Sequence, residues 1–172
     1  MAAAGPVVGI VMGSASDWPS LEPAATLLRE WGIGVEVSVA SAHRSPHQAQ
    51  AYAREAAGRG LKIIIAAAGA AAHLAGVLAA ETTLPVIGVP IPNSSLQGLD
   101  SLLSTVQMPA GVPVATMALG TAGAKNAAIL AAQMLALSDP DLQEKLKQHK
   151  LELESQVAQQ NDKIPADFRP KK

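Results

Sequence analysis

Apolar runs alternate with helix-like segments along most of the chain. The first run, residues 7–12, contains no polar residue at alternate positions, which is typical of a strand covered on both faces. Apolar runs of this kind predict five strands. They lie at residues 7–12, 35–40, 61–67 and 84–90 and within residues 111–119.

The segments that follow the strands have helical patterns. In the second of them, Ser45 is placed to cap the helix, Pro46 to take the first helical position, and Gly58 or Gly60 to end it. The predicted helices cover residues 18–32, 46–60, 71–81, about 101–106, 122–138 and 139–160.

The last predicted helix differs in composition from the others. It is rich in charged residues and has a narrow stripe that includes Leu142, Leu146 and Leu153. Such a stripe needs an apolar partner, and a three-layer domain leaves no obvious place for it. We therefore expect this helix to pack on another subunit.

Five strands alternating with helices indicate an α/β fold in three layers, with one parallel sheet between two layers of helices. Right-handed crossovers leave few topologies, and the flavodoxin-like strand order 2-1-3-4-5 is the common solution at this length. We expect a single domain over residues 1–172, with a core at about 7–137, a packing helix at about 139–160 and a loose tail at 161–172.

The composition narrows the class of protein. Lys and Arg number 13 against 14 Asp and Glu, the net charge is −1, and aromatic residues make up 2% of the chain. We therefore expect no binding to nucleic acid, which calls for basic surfaces and stacking side chains. The absence of cysteine excludes disulfides, thiolate metal sites and thiol nucleophiles.

Residues 63–80 contain no Asp, Glu, Lys or Arg and are long enough to raise the question of a membrane span. Most of this segment is Ala and Gly, however, and His73 lies near its middle. We therefore predict a buried strand, a turn of small residues and a closely packed helix, and no membrane association. The first residues, "MAAAGP", have neither a basic region nor a long apolar one, so we expect no signal peptide.

In the predicted strand order, the loops after strands 1, 2 and 3 meet at the carboxyl edge of the sheet, where such folds bind ligands. The first loop has Gly13 for a sharp exit from the strand, followed by Ser14, Ser16 and Asp17. Hydroxyls and free N–H groups at a helix start suit a phosphate or a sugar hydroxyl. The alternative is that Ser16 or Asp17 only caps the helix.

The second loop, "SAHRSP" at residues 41–46, places a histidine beside an arginine. The planar guanidinium of Arg44 suits phosphate, and histidine side chains exchange protons near neutral pH, so His43 is a candidate acid and base. His43 and His47 are four residues apart, but His43 precedes the predicted start of the helix at Pro46. With no cysteine and no HExxH motif, we expect no metal site.

The third loop consists of small residues that let a ligand approach the backbone closely. His73 is predicted about one turn into the following helix, where it either faces the crevice or packs between helices. These patterns predict a phosphate-binding crevice with a candidate acid and base, and they leave the reaction open.

Four segments resemble a known family. They are "GSASDW" at 13–18, "SAHRSP" at 41–46, "AAHLAG" at 71–76 and "DSLLSTVQMPAGVPVAT" at 100–116. They are similar to the 5-(carboxyamino)imidazole ribonucleotide mutases, class I enzymes of bacterial purine biosynthesis, and the match is collinear from about Val7 to Leu137. The resemblance implies a flavodoxin-like fold, a cytoplasmic homo-octamer with sites at subunit junctions, and no metal or organic cofactor.

The resemblance also implies a reaction. The ribonucleotide substrate, supplied by an ATP-dependent synthetase, loses CO2, which stays trapped and adds at C4 of the imidazole. His43 gives and takes the proton, while Ser14, Asp17 and Arg44 hold the ribose and phosphate. The remaining implied residues are Ser16 and Ser41 as lining, and His73 with Gly69 and Ala70 near the carboxylate or CO2.

The chain departs from the family pattern in the third loop. Ala67 and Ala70 stand where the family has glycine, and Ala75 where it has proline. If Ala70 has a positive φ, its methyl group costs about 1–2 kcal/mol and narrows the crevice. The related class II enzymes, which carboxylate aminoimidazole ribonucleotide directly with CO2, have an Arg-Ser-Asn segment that is lacking here. Direct carboxylation and a non-catalytic phosphoribosyl-binding domain remain the alternatives to the mutase.

Overall fold

The five predicted strands form one parallel sheet in the order β2-β1-β3-β4-β5. The structure, a computed structural model, describes residues 5–169. The strands are β1 Val8–Met12, β2 Val35–Val39, β3 Ile63–Gly69, β4 Val86–Ile91 and β5 Ala115–Thr116. The predicted three-layer α/β fold and its flavodoxin-like strand order are therefore confirmed.

Helices connect the strands as the alternating pattern predicts. They are α1 Trp18–Glu30, α2 Pro46–Ala56, α3 Leu74–Glu81, α4 Leu99–Val106, α5 Gly120–Ala136 and α6 Pro140–Asn161, with short 3-10 turns at Ala15–Asp17 and Ala166–Phe168.

One detail of the helix predictions was wrong, and a second is confirmed only in part. Helix α3 begins at Leu74, so His73 is its N-cap and does not lie one turn into the helix. Ser45 does occupy the N-cap position of α2, but its side chain makes no capping hydrogen bond. In both places, contacts within the preceding loop fix the residues just before the helix. A sequence pattern does not show those contacts.

The strand register places the loops of the carboxyl edge at one level. Met12, at the end of β1, is paired with Val39 of β2 and with Ala67 of β3. Gly69 at the end of β3 is paired with Ile91 at the end of β4. Because all four strands run in the same direction, the loops that follow them begin side by side.

Small residues allow the helices to lie close to the sheet. One face carries a core in which Ala49 and Ala53 of α2 and Leu78 of α3 pack with Val11 and Ile64. Residues alternate between the faces of a strand, so Ile10, Ile63 and Ile65 are buried on the other face. A Cβ atom at Gly9 of β1 would overlap the Tyr52 hydroxyl of α2, so a larger residue there would have to displace the Tyr52 side chain.

The chain divides into two compact units, the first ending at Ala131 and the second beginning at Ala132, within α5. In the second unit, Asp139 caps α6 by accepting a hydrogen bond from the backbone N–H of Leu142 at 3.1 Å. Of the predicted stripe, Leu142 is buried at 4% exposure within the single chain, whereas Leu153 is 41% exposed, so packing of α6 on another subunit stays a prediction. No helix among residues 5–169 has the length and apolar character needed to cross a membrane.

Candidate active site

A cavity of about 400 Å³ opens at the carboxyl edge of the sheet. Four loops line it, those after β1, β2, β3 and β4. Seven of the nine residues singled out from the sequence lie on its wall: Ser14, Asp17, Ser41, His43, Arg44, Gly69 and Ala70. The other two, Ser16 and His73, are hydrogen-bonded to wall residues. The fold therefore brings together residues that are far apart in the sequence, from Ser14 in the first loop to His73 in the third.

The loop after β1 folds into a 3-10 turn that Ser14 caps. The Ser14 hydroxyl oxygen accepts hydrogen bonds from the backbone N–H of Ser16 at 3.3 Å and from the Ser16 hydroxyl at 2.8 Å. Asp17 occupies the N-cap position of α1, yet its side chain makes no capping bond. The interpretation of Asp17 as a simple helix cap is therefore wrong, because its carboxylate does not bond to the backbone N–H groups of α1.

Asp17 is a buried carboxylate on the cavity wall. It is 4% exposed, and its Oδ1 accepts a hydrogen bond from Nδ2 of Asn93 at 3.3 Å. Burial raises the pKa of Asp17 above its ordinary value. Hydrogen bonds from Asn93, Ser14 and Ser16 and the positive charge of Arg44 act in the opposite direction and lower the pKa. The site thus holds a carboxylate whose charge depends on its neighbours.

Two serines fix the loop after β2. The Ser45 hydroxyl accepts a hydrogen bond from the backbone N–H of Ser41 at 2.9 Å and lies 3.2 Å from the Ser41 carbonyl oxygen. The Ser41 hydroxyl in turn accepts from the backbone N–H of Arg44 at 3.2 Å. Ser45 therefore closes the loop instead of capping α2, and Ser41 holds the backbone of Arg44 in place.

Arg44 joins the first two loops. Its Nη2 donates a hydrogen bond to the backbone carbonyl oxygen of Gly13 at 2.9 Å. A guanidinium has five N–H donors, so this contact leaves others for an anion in the cavity. The bond holds the positive charge beside Ser14, where the N–H groups of the 3-10 turn begin.

His43 and His73 form a pair. Nε2 of His43 and Nδ1 of His73 are 2.8 Å apart, and the two rings meet edge to face with centroids 4.9 Å apart. One of these nitrogens carries the proton and the other accepts it. Of the two positions predicted for His73, facing the crevice or packing between helices, the structure favours the crevice side, because His43 lies on the cavity wall.

The loop after β3 has an unusual backbone at Ala70, whose φ of 51° is in the left-handed region. The sequence predicts an energetic cost for a positive φ at Ala70, and Ala70 has such a φ. Its methyl group therefore costs about 1–2 kcal/mol relative to glycine. Ser104 of α4 supports the loop, because its hydroxyl accepts a hydrogen bond from the backbone N–H of Ala72 at 3.0 Å. Just before Ala70, a Cβ atom at Gly69 would overlap the side-chain amide of Asn93.

Sequence reasoning missed Asn93 and Ser104. Asn93 lies in the loop after β4, at the same carboxyl edge of the sheet as the other three loops. The prediction from the sequence covered only the loops after β1, β2 and β3, and extending it to the fourth loop would have found Asn93. Ser104 lies within a helix 32 residues from the N–H that it binds, and no local pattern marks it.

The cavity combines three chemical capabilities. Arg44 and the turn at Ser14 suit an anion, the Asp17 carboxylate suits hydroxyl donors, and the His43–His73 pair can hold and release a proton. Within residues 5–169, no group of three or more His, Cys, Asp or Glu side chains is arranged to hold a metal ion.

Comparison with known proteins identifies relatives over most of the chain. The family model described as AIR carboxylase matches residues 7–156. The N5-carboxyaminoimidazole ribonucleotide mutase of Pseudomonas aeruginosa is 58% identical over 142 residues, which are 83% of this chain and 87% of the relative. The protein of the same name from Bacillus subtilis is 52% identical over 159 residues, which are 92% of this chain and 98% of the relative.

Solved structures agree with the sequence relatives. The crystal structure of Treponema denticola PurE has a TM-score of 0.82 and 28% sequence identity, and the match covers 92% of this chain and 98% of that one. The family match includes the whole sheet and all four loops of the cavity. The resemblance inferred from the sequence motifs is therefore confirmed, and the chain belongs to the AIR carboxylase family.

Proposed function

We propose that this chain catalyses the reaction for which its relatives are named, as an N5-carboxyaminoimidazole ribonucleotide mutase of purine biosynthesis. The carboxylate moves from the exocyclic nitrogen of the substrate to C4 of its imidazole ring. The observation that carries the proposal is the single cavity in which an arginine, a buried carboxylate and a histidine pair meet. A phosphoribosyl imidazole presents a phosphate, ribose hydroxyls and a reacting ring to these same three groups.

Binding rests on the loops after β1 and β2. Arg44 and the Ser14 turn receive the phosphate, because both present donors and the arginine adds a positive charge. The Asp17 carboxylate accepts hydrogen bonds from the ribose hydroxyls. Ser16 and Ser41 act mainly through their neighbours, since Ser16 binds the Ser14 hydroxyl and Ser41 holds the backbone of Arg44.

The proton balance needs one acid and one base, and His43 serves as both. When the N–carboxylate bond breaks, CO2 leaves and the exocyclic nitrogen takes a proton from His43. The CO2 stays near Gly69 and Ala70 and forms a bond to C4 of the resulting 5-aminoimidazole ribonucleotide. His43 then removes the C4 proton as the ring becomes aromatic again, which restores its starting state.

His73 supports this cycle through its contact with His43. The 2.8 Å hydrogen bond orients the His43 ring and gives it a partner in both protonation states. As the N-cap of α3, His73 is itself fixed by the backbone, since its carbonyl oxygen accepts a hydrogen bond from the N–H of Val77 at 3.0 Å.

The assembly that we propose is an octamer with sites at subunit junctions. The proposal is supported by large apolar side chains that are exposed to solvent in the single chain. Among them, Val39 on the edge strand β2 is 52% exposed and Leu99 on α4 is 56% exposed. We place the enzyme in the cytoplasm, with an ATP-dependent synthetase supplying its substrate. The reaction as written needs no metal ion or organic cofactor.

Incubation with each ribonucleotide, followed by ultraviolet absorbance, tests the reaction. We expect conversion of the N5-carboxyamino substrate, and no comparable carboxylation of aminoimidazole ribonucleotide at the same bicarbonate concentration. Efficient use of the second compound would instead favour direct carboxylation. Binding of either compound without turnover would indicate the non-catalytic module.

The variant His43→Asn tests the proton carrier. Asparagine keeps a similar volume but carries no proton, so turnover should fall by at least about 10²-fold, the lower end for a lost general acid and base. The variant should fold and bind ribonucleotide. Turnover like that of the unmodified chain would make His73 the next candidate, and loss of binding would show that His43 mainly shapes the cavity.

A further inference from the structure

The loop after β4 contributes a polar side chain to the cavity that neither the sequence motifs nor the proposed reaction uses. Asn93 lies two residues beyond the end of β4, where its backbone N–H donates to the carbonyl oxygen of Ile91 at 3.0 Å. Its side chain lines the cavity, and Nδ2 donates to Oδ1 of Asp17 at 3.3 Å. The contact joins the fourth loop to the first.

We propose that Asn93 is a positioning residue, which orients the Asp17 carboxylate toward the ribose hydroxyls through the hydrogen bond from its Nδ2. This inference rests on the proposed function, and specifically on the role of Asp17 in holding the ribose. Asn93 acts through Asp17, and it needs no direct contact with the reacting atoms.

The surroundings of Asp17 show why such a residue is needed. At 4% exposure the carboxylate is nearly cut off from water, so its charge depends on the groups around it. Burial raises its pKa, and the hydrogen bond from Asn93 is the strongest of the contacts that lower it. Arg44 is the charged group that faces Asp17, and the titratable pair His43 and His73 belongs to the same site.

The packing around Asn93 leaves space for this role. Its amide occupies the volume that a side chain at Gly69 would fill, so the glycine gives Asn93 access to Asp17. Asn93 is exposed and lines the cavity, so its replacement should leave the fold intact.

Two variants separate positioning from packing. Asn93→Leu keeps a branched side chain without a donor, and Asn93→Asp replaces the donor with a second carboxylate. In both, the titration of Asp17 should move to higher pH, and further in Asn93→Asp because like charges repel. Asn161→Asp, at the exposed end of α6 and not one of the residues that line the cavity, is the control for the added charge.

The measurement has two parts. The first is the carboxyl ¹³C titration of Asp17 in ligand-free protein labelled at aspartate, with the signal assigned by its loss in Asp17→Asn. The second is calorimetric affinity for 5-aminoimidazole ribonucleotide from about pH 3 to about pH 8, a range that brackets ordinary carboxyl and imidazole titration. As the pH falls, Asp17 gains a proton and accepts hydrogen bonds from the ribose hydroxyls more weakly, so the variants should lose affinity at a higher pH than the unmodified chain.

The outcomes distinguish this inference from the proposal on which it rests. If Asp17→Asn binds ribonucleotide as the unmodified chain does, Asp17 does not hold the ribose and the proposed role itself fails. If Asp17→Asn weakens binding but both Asn93 variants titrate at the original pH, Asn93 does not position Asp17. An upward shift in both Asn93 variants, with none in Asn161→Asp, supports the inference.

Discussion

Replacement of Ala70 by glycine should stabilise the fold without loss of turnover. Ala70 has a φ of 51°, a conformation that an L side chain adopts at a cost and glycine adopts freely. The same methyl group lies on the cavity wall, in the loop where we place the trapped CO2. The substitution therefore relieves strain and widens the cavity at the same time.

The magnitude follows from two opposing effects. Removing the left-handed strain gains about 1–2 kcal/mol. Glycine also makes the unfolded chain more flexible, which costs about 0.4–1 kcal/mol. At the middle of these two ranges the net gain is about 0.8 kcal/mol in the free energy of unfolding, which for a chain of this length raises the melting temperature by roughly 2–3 °C.

The neighbouring residue provides a matched control. Ala71 also lines the cavity, but it is not among the residues with positive φ. Ala71→Gly should therefore show the entropic cost alone and lower the melting temperature by roughly 1–4 °C. Because both changes are from alanine to glycine, the difference between the two variants isolates the left-handed strain.

Melting temperatures should be compared at one protomer concentration, since assembly makes them concentration-dependent. Equal destabilisation by Ala70→Gly and Ala71→Gly would refute the reasoning, because it would show that Ala70 is not strained. Turnover in Ala70→Gly should equal or exceed that of the unmodified chain. A large loss of turnover with an unchanged circular dichroism spectrum would show that the methyl group is adapted to the cavity.

Three further predictions concern binding, loop support and assembly. Arg44→Ala should weaken ribonucleotide affinity in calorimetry by about one to two orders of magnitude, because a charge-assisted contact contributes roughly 1.5–3 kcal/mol. Unchanged affinity would show that Arg44 does not bind the phosphate and that the Ser14 turn binds it alone. Ser104→Ala leaves the N–H of Ala72, which is 2% exposed, without its acceptor and should lower the free energy of unfolding by about 1–3 kcal/mol in denaturant titrations. Ser95→Ala, at an exposed loop position, is its control, and equal stability of the two variants would contradict this role for Ser104. Light scattering at micromolar concentration should give a mass several times that of the chain, and a monomer of about 17.5 kDa would exclude the proposed octamer.

The sequence by itself determined the sheet and the positions of its loops. Continuous apolar runs such as residues 7–12 and 61–67 mark strands buried on both faces, because every side chain in them must avoid water. Alternation with helices then leaves few right-handed topologies, and the observed order 2-1-3-4-5 is the common one. The convergence of Ser14, Arg44 and His43 followed from this order, since parallel strands end at one edge.

Only the tertiary structure decided which polar groups meet. The 2.8 Å contact between His43 and His73 and the bond from Asn93 to Asp17 join residues that are 30 and 76 positions apart. Local patterns report the period of an element and the residues at its ends, but the direction of a side chain depends on the backbone of its loop. The loop after β3 depends in this way on Ser104, whose hydroxyl reaches it from a helix that follows another strand. Burial of Asp17, which raises its pKa, likewise arises only in the folded chain, where Asp17 lies on the wall of a cavity that four loops line.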